Sequence, residues 1–235
     1  MRLSGILFDK DGTLVDLEAT WGGATRAAMR RLAGRDEALS RQLADALHYD
    51  LATERFATDS AMMSGTLPTL YGAFGAGLGR PLDAALTAEL TDIFATETLA
   101  TLLPIGDPAA VLAELRDMGL ALGLATNDGE ANARTHLAKL GLDGHLDFFV
   151  AGYDSGHGGK PEPGMVLAFA AKLGVPPERV ALVGDTLHDM GAARAAGAVG
   201  IAVLSGPLGR DVLGPAADHV IDSVADLPAL MRRLN

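Results

Sequence analysis

The chain has 235 residues, 49% of them hydrophobic and 21% charged, which leaves room for one large domain or for a core carrying a smaller one. Its formal net charge of −11 repels phosphate backbones and argues against nucleic acid as a partner. It has no cysteine, which excludes disulfides, thiolate metal sites and a cysteine nucleophile and fits a cytoplasmic protein.

The apolar run in MRLSGILFDK is too short for a signal peptide and ends in charged residues. No stretch of about 18 uncharged apolar residues occurs, so no membrane span is expected. Residues 3–8 (LSGILF) predict a short buried strand that runs into the polar turn DKDGT. Residues 17–99 have a different character. Trp21, Ala24, Ala28 and Leu32 share one helical face; Leu39, Leu43 and Leu47 share a second; Leu86, Leu90 and Phe94 share a third. Between the last two, SGTLPTLYGAFGAGLGRP is punctuated by Gly and Pro and predicts a loop.

From residue 100 the pattern becomes strand, helix, strand. Asp107 predicts an N-cap, Pro108 a first helical position and Gly119 a stop. LALGLAT (120–126) predicts a strand, and Asp128 the cap of a helix ending at Gly141. FFVAGY (148–153), RVALVGD (179–185), VGIAVL (199–204) and HVI (219–221) predict further strands, separated by helices. Alternation of this kind implies a parallel sheet covered on both faces. The expectation is therefore an α/β fold with a Rossmann-like parallel sheet core, residues 1–16 and 100–235, and an inserted all-helical domain, residues 17–99.

The polar clusters fall at the carboxyl ends of the predicted strands, where open parallel sheets bind ligands. Asp9 and Asp11 follow the first strand, and period-two alternation turns both carboxylates one way and Lys10 another. Asp185 and Asp189 follow a later strand. Four carboxylates in one place repel each other, and a hard divalent cation such as Mg2+ relieves the repulsion. Lys160, the Thr126 hydroxyl and the Asn127 amide offer donors for phosphate oxygens. An EF-hand is excluded because Thr13 and Leu14 stand where Asp and Gly are needed. A GxxxxGK[ST] phosphate loop is excluded because Pro161 follows Lys160 and Asp154 replaces the first glycine. The six histidines show no zinc spacing.

DKDGT, Thr126-Asn127, Lys160-Pro161 and GDTLHD together resemble the four-motif signature of the haloacid dehalogenase-like hydrolase superfamily, and in particular its phosphoglycolate phosphatase-like members with a helical cap. The resemblance implies a phosphatase acting on a small phosphorylated metabolite through an aspartyl-phosphate intermediate, with Mg2+ as cofactor. It implies Asp9 as nucleophile and metal ligand, and Asp11 as general acid and base, binding metal through its backbone carbonyl. Thr13 supports the loop. Thr126 and Asn127 bind the transferring phosphoryl group, and Lys160 clamps nucleophile and phosphate. Asp185 is a direct metal ligand; Asp189 acts through water or by positioning. An acid at position 11 suits phosphoryl transfer, whose alkoxide leaving group needs a proton, rather than dehalogenation. The absence of lysine between Lys10 and Lys139 disfavours a Schiff-base phosphonatase. A phosphomutase and a non-catalytic phosphate-sensing module remain as alternatives. Two departures from the family pattern stand out: Lys10 where an apolar residue is common, and Asp128-Gly129 after Asn127 where a lysine is usual.

Overall fold

In the computed structural model, residues 2–57, 59–146 and 148–234 are described, the side chains of Ala61 and Ser64 excepted. The chain divides into two compact units, Met1–Asp16 with Pro104–Asn235, and Leu17–Leu103. Strand β1 (Gly5–Phe8) opens the first unit. The second follows with a π-helical turn (Glu18–Gly22) leading into α1 (Gly23–Ala33), then α2 (Glu37–Leu47), β2 (Tyr49–Asp50), β3 (Arg55–Phe56), α3 (Ala61–Ser64), α4 (Leu67–Gly77) and α5 (Ala84–Thr101). The first unit resumes with α6 (Pro108–Asp117), β4 (Ala121–Ala125), α7 (Glu130–Leu140), β5 (Phe149–Ala151), α8 (Gly164–Leu173), β6 (Val180–Gly184), α9 (Leu187–Ala196), β7 (Val199–Val203), α10 (Arg210–Leu213), β8 (His219–Ile221) and α11 (Leu227–Leu234). No helix among the described residues is long and apolar enough to cross a membrane.

The expected α/β core is present as a six-stranded, wholly parallel sheet of order β5-β4-β1-β6-β7-β8. Its strands are short apolar runs because both faces are covered, as parallel sheets require. On one face Leu7, Val180 and Leu182 pack under Met165, Val166 and Phe169 of α8 and Ala192 and Ala193 of α9. Ile6 and Phe8, of opposite parity to Leu7 along β1, are fully buried as well. The chain runs outward from β1 through β4 to β5, then returns to the other side of β1 for β6, β7 and β8. The ends of β1 and β6 therefore flank the point where strand order reverses, the usual ligand crevice of such sheets.

The turn chemistry read from the sequence holds at α6, whose cap Asp107 accepts from the Ala110 N–H, and at Gly119 and Gly141, both with positive φ. One cap differs. Helix α7 starts from Gly129 without a side-chain cap, because the Asp128 carboxylate is drawn to a buried lysine. Helix α9 is capped by Thr186. Asp189 is the third residue of a capping box, its carboxylate accepting from the Thr186 N–H at 3.0 Å.

The inserted unit departs from the expected pattern in three ways. The segment read as a Gly/Pro loop forms helix α4, with Pro68 in its first turn and Leu70, Tyr71 and Phe74 buried on one side. Two of its three glycines serve close packing: a Cβ on Gly77 would lie 2.9 Å from the Leu43 side chain of α2, and one on Gly75 would lie 3.0 Å from the Arg80 carbonyl. Glycine costs a helix about 1 kcal/mol per residue, and burial of the aromatic face outweighs that cost. The unit is also not all-helical. Tyr49 pairs with Phe56 and Asp50 with Arg55 in an antiparallel ribbon, closed by Asp50 Oδ1 accepting from the Ala52 and Thr53 N–H groups. Lastly, the boundary expected at residue 99 falls inside α5, which continues to Thr101 and hydrogen-bonds the Thr20 carbonyl there. Around Phe94 the rings of Trp21, Tyr71 and Phe74 lie within 5.8 Å between centroids and centre this unit's core. On the same unit Arg26 is paired with Glu54.

Candidate active site

Register fixes the site's frame. Phe8 of β1 lies opposite Leu124 of β4 and Val183 of β6. Asp9, Thr126 and Asp185, the first residues after β1, β4 and β6, thus leave three adjacent strands at one end of the sheet, with neighbouring strands about 4.8 Å apart. Lys160 comes from the loop after β5. Its backbone is held by Asn127, whose Oδ1 accepts from the Lys160 N–H at 2.8 Å and whose Nδ2 donates to the Lys160 carbonyl at 3.0 Å. The Asn127 side chain, expected to face phosphate, is therefore engaged in placing the lysine. Thr126 is buried, and its Oγ1 accepts from the Asp128 N–H at 3.1 Å.

The Lys160 ammonium stands 2.6 Å from Asp9 Oδ1 and 2.6 Å from Asp189 Oδ1. Asp9 Oδ1 also accepts from the Lys10 N–H at 2.7 Å. Carboxylate oxygens of Asp9, Asp185 and Asp189 lie within 4.8 Å of one another, and all three residues are buried. Burial pushes the Asp9 carboxyl up to about 7, against the pull of Lys160. Burial, then the charges of Asp9 and Asp189, hold Asp185 well above the ordinary carboxylate range. Burial disfavours the Lys160 ammonium too, but Asp189 and Asp9 outweigh it and hold it above the usual lysine range.

One lysine does not balance three carboxylates, and the donor set fits a hard cation. Asp185 Oδ1 accepts from the Thr13 hydroxyl at 3.3 Å, but its buried Oδ2 has no protein partner. Space beside that oxygen is kept by glycine: a Cβ at Gly12 or at Gly206 would run into Asp185 Oδ2. An orphaned oxygen among clustered carboxylates, with side-chain bulk excluded around it, suits Mg2+, which takes one or two carboxylates and keeps its other positions for water and phosphate. Asp189 is committed to Lys160 through Oδ1 and to Thr186 through Oδ2.

Asp11 departs from the expected cluster of four carboxylates. It is not among the three that converge; its carboxylate is turned to Lys10, whose Nζ lies 2.9 Å from Oδ2 and 3.0 Å from Oδ1. Lys10, expected to point away from both aspartates, lies fully buried between Asp11, Asp128 and His136. Alternation alone would separate residues 10 and 11, but a buried ammonium without counter-charges costs more than bending the turn. Asp128 and His136 have no place in the sequence-derived site. Their signal was the spacing Asp128, Asn132, His136, a polar stripe at i, i+4, i+8 of a helix whose apolar positions face the core.

A family description, haloacid dehalogenase-like hydrolase, matches residues 3–197. The chain belongs to this family. This hydrolase is 33% identical over 94% of its length to phosphoglycolate phosphatase of Rhodospirillum rubrum, covering 88% of that protein. It is 28% identical to N-acetylmuramic acid 6-phosphate phosphatase of Pseudomonas aeruginosa, over 99% and 96% of the two chains. Its fold matches the crystal structure of a predicted phosphoglycolate phosphatase from Haemophilus somnus with a TM-score of 0.75 at 19% identity, over 98% of each chain. The hydrolase is an enzyme of the phosphatase class.

Proposed function

We propose that this phosphatase hydrolyses a small phosphomonoester, phosphoglycolate or a compound of similar size, through an aspartyl-phosphate formed on Asp9. The observation that carries the reading is the Lys160 ammonium 2.6 Å from Asp9 Oδ1, beside the orphaned oxygen of Asp185. Asp9 and Asp185, with the backbone carbonyl of Asp11, would hold Mg2+, which when bound offsets negative charge on the transferring group. Asp9 attacks phosphorus, and the bond to the leaving oxygen breaks. Asp11 supplies that oxygen with a proton. It then takes one from the water that attacks the acyl phosphate, releasing inorganic phosphate and regenerating the Asp9 carboxylate. Lys160 and Thr126 donate to the phosphoryl oxygens. Asn127 contributes by fixing Lys160.

In the same proposal residues 17–103 act as a cap that selects small substrates, and the enzyme works in the cytoplasm. The names of the two curated relatives support the substrate class and differ in the metabolite. The test is a panel of phosphorylated metabolites, phosphopeptides and oligonucleotides, assayed with and without Mg2+. Small phosphomonoesters should give the highest kcat/KM, and only with metal. A phosphopeptide preferred by more than about tenfold, a difference of 1.4 kcal/mol in transition-state binding, contradicts the proposal.

A further inference from the structure

Lys10 is a buried cation beside the reacting groups for which the mechanism above has no task. Lysine is almost never fully buried unless paired, and here the pairing is extensive. The ammonium has three N–H donors and no acceptor. It meets both oxygens of Asp11 at 2.9 and 3.0 Å, Asp128 Oδ2 at 3.0 Å and His136 Nδ1 at 3.0 Å. A lysine cannot accept, so His136 Nδ1 must be the acceptor, and the imidazole is neutral.

Lys10's partners are themselves tied down. Asp128 accepts from the Gly129 N–H at 2.7 Å and the Asn132 amide at 2.8 Å, and His136 lies two turns further along α7, fully buried. Asp11 is the most exposed of the groups that meet at the ammonium, its side chain 13% accessible against 2% for Asp128. An aspartate in an open turn has several rotamers; one gripped through both oxygens from a helix-anchored cation has one.

We propose that Lys10 is a positioning residue that locks the Asp11 carboxylate in one orientation, outside the Asp9–Asp185–Asp189 group, by anchoring it to α7 through Asp128 and His136. The inference rests on Asp11 being the proton donor and acceptor of the reaction. A displacement of about 1 Å at such a group can cost a hundredfold in rate. An apolar side chain at position 10 would fill the space but release Asp11 and leave Asp128 without its cation.

The test is single-turnover rates, with saturating Mg2+, on an alkyl phosphate and on 4-nitrophenyl phosphate, whose leaving group needs little proton assistance. Lys10→Met should slow the alkyl phosphate by about ten- to a hundredfold and the aryl phosphate only slightly. In an Asp11→Asn background it should cost nothing further that distinguishes the two substrates. Lys10→Met/Asp128→Asn removes a cation and an anion together and carries the same comparison if the single variant does not fold. Asp128→Asn alone, which keeps Lys10 but weakens its anchor, should show the same selectivity in milder form.

Asp11→Asn separates this inference from the reading beneath it. If Asp11→Asn slows both substrates alike, Asp11 is not the proton donor and both fall. If Asp11→Asn is selective but loss of Lys10 slows both substrates equally, or adds in full to Asp11→Asn, then Lys10 is only structural and the inference alone is overturned.

Discussion

The Lys160 ammonium lies 2.6 Å from Asp9 Oδ1, and both residues are buried. The contact joins two loops 151 residues apart in the chain, and it makes each residue's charge conditional on the other's. Lys160→Met should accordingly leave Asp9 and Asp189 buried without their cation. Breaking a buried pair in this way costs about 3–5 kcal/mol, read as a fall in denaturant midpoint. Turnover should drop by roughly a hundred- to a thousandfold. Mg2+ should recover part of the stability and little of the rate. Unchanged kcat/KM in a folded Lys160→Met protein contradicts the phosphate-clamping role.

Asp9→Asn should remove turnover altogether, since an amide is a poor nucleophile and a poor metal ligand. Asp11→Asn should lose about a hundred- to ten-thousandfold on poor leaving groups and less on aryl phosphates. The slope of log kcat against leaving-group pKa, under conditions where phosphoryl transfer limits the rate, distinguishes the two.

Stability of the metal-free protein should fall as pH rises from about 4 to 7. Asp9 has an ordinary value of 3.8 when unfolded and about 7 when folded. Between these limits the folded chain keeps a proton that the unfolded chain releases, so raising pH favours unfolding. Asp185, raised in the same direction, adds to the trend. Mg2+ binds the ionised carboxylates, so the stabilisation it gives should grow as pH rises through 7. At a hundredfold excess over its dissociation constant it should reach about 2.7 kcal/mol, and Asp185→Asn should lose most of it. Thermal melts across pH, with and without Mg2+, read both effects.

Phe94→Ala tests the inserted unit's core. Its ring contacts Trp21, Tyr71 and Phe74 and is 2% exposed. A loss of about 3–5 kcal/mol is expected, measured as a fall in midpoint at constant metal. A loss under about 1 kcal/mol would show that the aromatic cluster is not this unit's anchor.

Much of the core was legible because its signals are local. Short apolar runs between Gly stops mark the strands, and polar residues just after them mark the ligand edge, so Asp9, Thr126, Lys160 and Asp185 could be assigned to that edge without knowing how the strands pair. Helix α4 was misread because Gly75 and Gly77 look like breakers until Leu43 and Arg80 are seen against them. The ribbon at Tyr49 and Phe56 is two residues per strand, too short for any period to show. The orientation of Asp11 depends on Asp128 and His136, more than a hundred residues away, and on burial of Lys10, which alternation along β1 does not reveal.

The central claim is a covalent phosphoryl group on Asp9. Its most direct test is to quench the enzyme in acid during turnover with Mg2+, reduce with borohydride and map the product by peptide mass. An acyl phosphate at Asp9 is reduced to homoserine at that position. The account predicts homoserine at residue 9, dependent on substrate and on Mg2+, and lost in Asp9→Asn. Homoserine at another aspartate, or none in a rapidly quenched enzyme whose turnover survives Asp9→Asn, would contradict it.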